Sequence, residues 1–142
     1  MDNEIIDLLS TVASSFQTRM KEQISSNNAG PAIFQARLIN LIGRHDGISQ
    51  LTLGSMTERD KGQIARAINE LEAAGFVTRI LNPADKRSKC LTLTSAGRKM
   101  HRQLKDMRAH LAADALSTLT EKEKQAFQAT LQKIATKLHP QN

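Results

Sequence analysis

Tryptophan and tyrosine are absent, four phenylalanines are the only aromatic side chains, and cysteine occurs once. Each shortage excludes something. A single cysteine, Cys90, cannot close an internal disulfide, which points to the cytoplasm as the working compartment. Without Trp and Tyr, the core must be built from Leu, Ile, Val, Ala and Met, and base-stacking platforms of the kind that read single-stranded RNA are missing. No run of about 18 apolar residues exists, so no helical membrane span is expected. Asp2, Glu4 and Asp7 stand where an export signal needs positive charge. Glycines are not gathered into a phosphate loop. No Ser/His/Asp order with supporting glycines and no paired carboxylates in an apolar setting mark an enzyme. The four histidines, His45, His101, His110 and His139, show no ligand spacing, so neither a metal nor a cofactor is expected.

What is present is charge in one place. The 142 residues carry 20 Lys and Arg against 14 Asp and Glu. Residues 57–105 hold eleven of the cations and five of the anions, a balance of +6, and the rest of the chain holds nine of each. All the excess positive charge sits in the middle third. That placement favours a polyanionic partner more than an evenly basic chain would.

Hydrophobic spacing organises the chain around this block. Ile5, Leu8, Leu9, Val12, Phe16, Met20 and Ile24 recur every three or four residues, which predicts a long amphipathic helix over 2–24. Gly30 ends that segment, and Pro31 suits the first turn of a second helix through residue 44 with Phe34, Leu38, Leu41 and Ile42 inward. His45-Asp46-Gly47 reads as a turn. Ser49 caps a short helix to Met56, with Leu51, Leu53 and Met56 on its expected buried side. Asp60, followed by Gln63 three residues on, opens a helix that runs to about Ala74 and stops at Gly75. The period then changes. Residues 76–81 and 90–93 are β-prone and flank the basic turn 82–89, an antiparallel hairpin. Thr94 caps a helix with Met100, Leu104, Met107 and Leu111 on one face. Thr120-Glu121-Lys122-Glu123 is a capping box for a last helix striped by Phe127, Leu131, Ile134 and Leu138.

On the helix 60–74, Ile64, Ala67, Ile68 and Leu71 share one face. Gly62, Arg66, Asn69 and Ala73 fall opposite, flanked by Gln63 and Ala65. Arg, Asn and Gln are side chains that hydrogen-bond base edges in the major groove, and small neighbours let the backbone approach. Lys61 beside the helix N-terminus and Lys89 in the hairpin turn suit phosphates. On the hairpin tip lie Asp85, Lys86 and Arg87. A guanidinium on a narrow loop suits the negative potential of a minor groove, and Asp85 would brace Arg87 or Arg79.

Asp60-Lys61-Gly62-Gln63-Ile64-Ala65-Arg66-Ala67-Ile68, Leu71-Glu72-Ala73-Ala74-Gly75-Phe76-Val77-Thr78-Arg79, Asn82-Pro83-Ala84-Asp85-Lys86-Arg87-Ser88 and Leu93-Thr94-Ser95-Ala96-Gly97 jointly resemble the MarR family of bacterial transcription regulators. The resemblance implies a fold that is mainly α with a small β wing: a winged helix-turn-helix with N- and C-terminal dimerisation helices. The domains expected are 1–30 and 98–142 for dimerisation and 31–97 for DNA. The resemblance also implies a homodimer on a pseudo-palindromic double-stranded operator, usually as a repressor, with Arg87 as the wing residue and Asp85 orienting it. Many relatives release DNA on binding a small-molecule effector, for which Arg37, Arg44, His45 and Met56 are candidate lining residues here. Ser49–Met56 lacks the family's usual Leu-Ala pair. Cys90 beside Lys89 reads as a small buried hydrophobe before a redox sensor. The alternative function is a small basic helical adaptor for RNA or protein, which the hairpin argues against.

Overall fold

The computed structural model describes residues 1–26, 30–84 and 89–139. In chain order the elements are α1 (Asp2–Ser26), α2 (Ile33–Arg44), β1 (Ile48–Ser49), α3 (Gln50–Thr57), α4 (Lys61–Ala73), β2 (Val77–Leu81), β3 (Lys89–Leu93), α5 (Ser95–Ala115) and α6 (Glu121–Leu138). The chain divides into two compact units, Met1–Arg108 and Ala109–Asn142, and α5 runs across the division.

In the first unit the core joins α2, α3, α4 and the sheet. Leu38, Ile39, Ile42, Leu53, Ile64, Ile68, Leu71 and Leu91 are buried to 2% exposure or less. The four residues expected on the inner face of α4 are all buried. On α3 the expectation half fails. Leu53 is buried, but Leu51 is 71% exposed and Met56 is also exposed, and Thr57 takes the inner position instead. Eight residues make two turns, too few for a stripe read from spacing to fix which face packs. The Thr57 hydroxyl, buried, donates to the carbonyls of Leu53 and Gly54 and so carries no unpaired group inward. Pro31 lies one residue before the Ala32 cap of α2 rather than in its first turn.

The sheet has three strands in the order β1-β3-β2, all antiparallel. The hairpin was legible; β1 was not. Two residues, Ile48 and Ser49, pair with Leu91 and Cys90, while the Ser49 hydroxyl accepts from the Thr52 amide to cap α3. Cys90 is buried in the central strand.

The hairpin is tied to its supports at both ends. Helix α4 closes with the amides of Gly75 and Phe76 donating to the carbonyls of Glu72 and Leu71. This is a Schellman stop, and Gly75 supplies its left-handed residue at φ +84°. Thr94 then donates its amide to the Phe76 carbonyl and its hydroxyl to that of Gly75, and accepts from the Gly97 amide to cap α5. A Cβ on Gly97 would sit 2.0 Å from the Phe76 carbonyl oxygen. The Leu-Thr-x-x-Gly run is therefore the joint between α4, the hairpin and α5.

In the second unit, Thr120 and Glu123 exchange the two hydrogen bonds of the capping box that starts α6. The outer helices α1 and α6 do not bury their stripes. No residue of α1 or α6 is buried; Val12 is 60% exposed and Phe127 46%. Among the described residues no helix is long and apolar enough to cross a membrane.

Candidate nucleic-acid interface

Helices α3 and α4 meet through a three-residue turn in which Glu58 adopts a left-handed conformation, φ 55°. Asp60 then caps α4, its Oδ1 accepting from the Gln63 amide at 2.8 Å. Burial of Ile64, Ala67, Ile68 and Leu71 fixes the rotation of α4. Gly62, Arg66, Asn69 and Ala73 are consequently exposed together on the opposite side, with Gln63 and Glu70 exposed along its edge and Lys61 exposed in the first turn. The face thus carries one guanidinium and one amide, with the Gln63 amide and the Glu70 carboxylate at its edge, and its small residues leave the backbone accessible.

Asn69 is engaged. Arg79, from β2, donates through Nη2 to Asn69 Oδ1 at 2.6 Å and lies 3.5 Å from Glu72 Oε1 through Nη1. Arg79 is mostly covered, its side chain 19% exposed, and its buried Nε has no hydrogen-bond partner among the described residues. Its described partners thus lie on α4. Asp85, the brace expected of it, falls outside the described residues, as do Lys86 and Arg87. Lys89 begins β3, exposed, opposite Leu81 at the distal end of the hairpin.

Gln63 and Arg66 also border a cavity of about 230 Å³ between α4 and the start of α2. Phe34, Gln35, Arg59 and Glu70 complete most of its wall. The Arg59 guanidinium stands 4.5 Å from the centre of the Phe34 ring, a cation–π contact. Gln35 accepts from the Ala32 amide and donates to Glu70. Sequence reasoning missed Arg59, Gln35 and Glu70, because each pairing joins distant segments and no spacing rule announces it. None of Arg37, Arg44, His45 and Met56 borders this cavity; all four are exposed.

A separate contact joins α2 to α5. His101 Nδ1 lies 3.0 Å from Asn40 Oδ1, and a Cβ on Gly43 would come within 2.7 Å of the imidazole. Burial, reinforced by the positive charges of Lys105 and Arg44, holds the His101 pKa below its usual value of 6.5. Among the described residues no group of three or more His, Cys, Asp or Glu is placed to hold a metal.

This arrangement, a helix-turn-helix followed by a hairpin packed on the end of its second helix, defines the winged helix-turn-helix class. A sequence model of the MarR family matches residues 30–88. A regulator of Bacillus subtilis strain 168, described as the uncharacterized HTH-type transcriptional regulator YybA, is 33% identical over 93 residues, covering 66% of this chain and 62% of that protein. The chain thus spans less than two thirds of that relative's length. Streptococcus pneumoniae FabT, in a structure in complex with DNA, superposes with a TM-score of 0.81 at 18% identity, covering 98% of each chain. A mutant E. coli MarR complexed with operator DNA gives 0.69 at 25% identity, covering 94% of this chain and 97% of that one. Over residues 30–88 the chain thus matches the MarR family model, and its fold is that of the solved MarR structures.

Proposed function

We propose that this protein is a sequence-specific regulator of transcription, a repressor, that grips double-stranded DNA as a homodimer on a pseudo-palindromic site in the cytoplasm. The observation that carries this reading is the rotation of α4, which turns Gln63, Arg66 and Asn69 to solvent on a helix-turn-helix while four apolar residues anchor the other side. The DNA complexes of FabT and MarR support it by fold.

In this reading Gln63, Arg66 and Asn69 face base edges. Lys61 and Lys89 neutralise phosphates, and Lys86 and Arg87 reach from the wing, with Asp85 orienting Arg87. Residues 31–97 form the DNA-binding part. Residues 1–30 and 98–142 pair with their copies, which would cover the exposed Ile5, Leu8 and Val12 of α1 and Phe127 and Leu138 of α6. Twofold symmetry places two α4 helices in successive major grooves about 34 Å apart. Selection of bound duplexes from a random library tests this. Enrichment of an inverted repeat supports it; recovery of no preferred duplex at moderate salt ends it.

A further inference from the structure

We infer that Arg79 is a positioning residue that sets what Asn69 can read, turning it into a donor-only contact that favours guanine or thymine over adenine. The inference rests on the proposed DNA-binding reading.

A guanidinium has five N–H donors and no acceptor, so the Asn69 atom that it holds must be the carbonyl oxygen. At 2.6 Å from Nη2 this is a short, charge-assisted bond. Asparagine reads adenine by using both ends of its amide at once, accepting from N6–H and donating to N7. With one lone pair of Oδ1 taken by Arg79 and the oxygen drawn toward β2, the Nδ2 hydrogens are the better-placed groups for a partner on the exposed side. A donor alone matches guanine, which presents O6 and N7 as acceptors, or thymine O4, and leaves the N6–H of adenine unanswered.

Arg79 is itself fixed. Glu72 holds Nη1, the side chain is mostly covered, and β2 is held in register by Arg79 facing Leu91 of β3. Its described hydrogen bonds run through the two terminal nitrogens, Nη1 to Glu72 and Nη2 to Asn69. The strand that leads into the wing therefore aims a side chain on the recognition helix.

The test is duplex selection from a random library with the wild type, Asn69→Ala, Asn69→Asp, Arg79→Lys and Arg79→Ala, each checked for folding by thermal melting. Asn69→Ala should relax one position per half-site, where the wild type prefers guanine or thymine by about three- to tenfold, the worth of one hydrogen bond. Asn69→Asp keeps an acceptor for Arg79 but offers no donor, so the preference at that position should move away from guanine and thymine to cytosine or adenine, whose N4–H₂ and N6–H₂ donate. Arg79→Lys should let adenine rise at the same position without lowering affinity uniformly. Loss of folding in Arg79→Ala leaves the other three variants decisive. A wild-type preference for adenine at the Asn69-sensitive position overturns the inference, as does an Asn69→Ala profile identical to wild type. An Arg79→Lys protein that loses affinity for all sequences alike also overturns it, because that is a purely structural role. An inverted repeat enriched by the wild type keeps the functional proposal even when the inference fails; no enrichment by any protein removes both.

Discussion

Arg66 and Lys89 stand on the same proposed surface but should fail differently when removed. Arg66 is exposed on α4 beside Gln63, where a guanidinium can take a base edge, so Arg66→Ala should cost about 1–3 kcal/mol and relax one position per half-site. Competition binding against single-base variants of a selected duplex checks this. Lys89 lies at the distal end of the hairpin and should contact phosphate only. Lys89→Ala should weaken all sequences alike and flatten the slope of log K against log salt by about one unit, read from anisotropy titrations at several salt concentrations. His101 gives a pH effect with a fixed sign. Its pKa is lowered on folding, so between the folded value and about 6.5 the unfolded chain binds the extra proton. Its contribution is complete above pH 6.5 and shrinks as pH falls below that. The melting temperature of the wild type should therefore drop more between pH 7 and pH 5 than that of His101→Gln; equal drops would show that another group carries the effect.

At the scale of elements, the joint formed by Gly75, Phe76, Thr94 and Gly97 decides whether the wing stands where α4 needs it. Gly97→Ala forces a methyl into the Phe76 carbonyl and should cost about 1–3 kcal/mol of stability, measured by urea unfolding. The neighbouring Ser95, on the same turn but outside that contact, should tolerate alanine with little change. Elements of this kind were legible because their signals are local. The Asp60 and Thr120 caps, the Gly75 stop and the change of period after it each lie within a few residues. Strand β1 was not legible because two residues have no period, and its existence depends on β3, some forty residues away. The short helix α3 departs from its spacing for the same reason: Leu51 and Met56 are apolar yet exposed, and Thr57 turns inward. On the candidate interface, exposure of Gln63, Arg66 and Asn69 followed from the helical repeat. The hold of Arg79 on Asn69 did not, because it joins a helix to a strand across a turn.

The whole molecule leaves apolar surface to explain. Helices α1 and α6 carry the periodic stripes read from the sequence, but within one protomer Ile5, Leu8, Val12, Phe127 and Leu138 remain exposed. Pairing of two copies is the proposed cover, and it can be tested apart from DNA. Val12→Glu combined with Phe127→Glu should shift the protein toward a monomer in sedimentation equilibrium and weaken operator binding, since each half then binds alone. A double variant that stays dimeric would place the contact elsewhere.

The central claim is that two copies of α4 enter the major groove on one side of a duplex. Dimethyl sulfate protection of guanine N7 on a selected duplex reads this directly, because N7 lies in the major groove. The account predicts two protected patches about 34 Å apart, one helical turn, related by twofold symmetry, with protection near Arg66 lost in Arg66→Ala. A single patch, or full retention of affinity with every major-groove N7 still reactive, would contradict it.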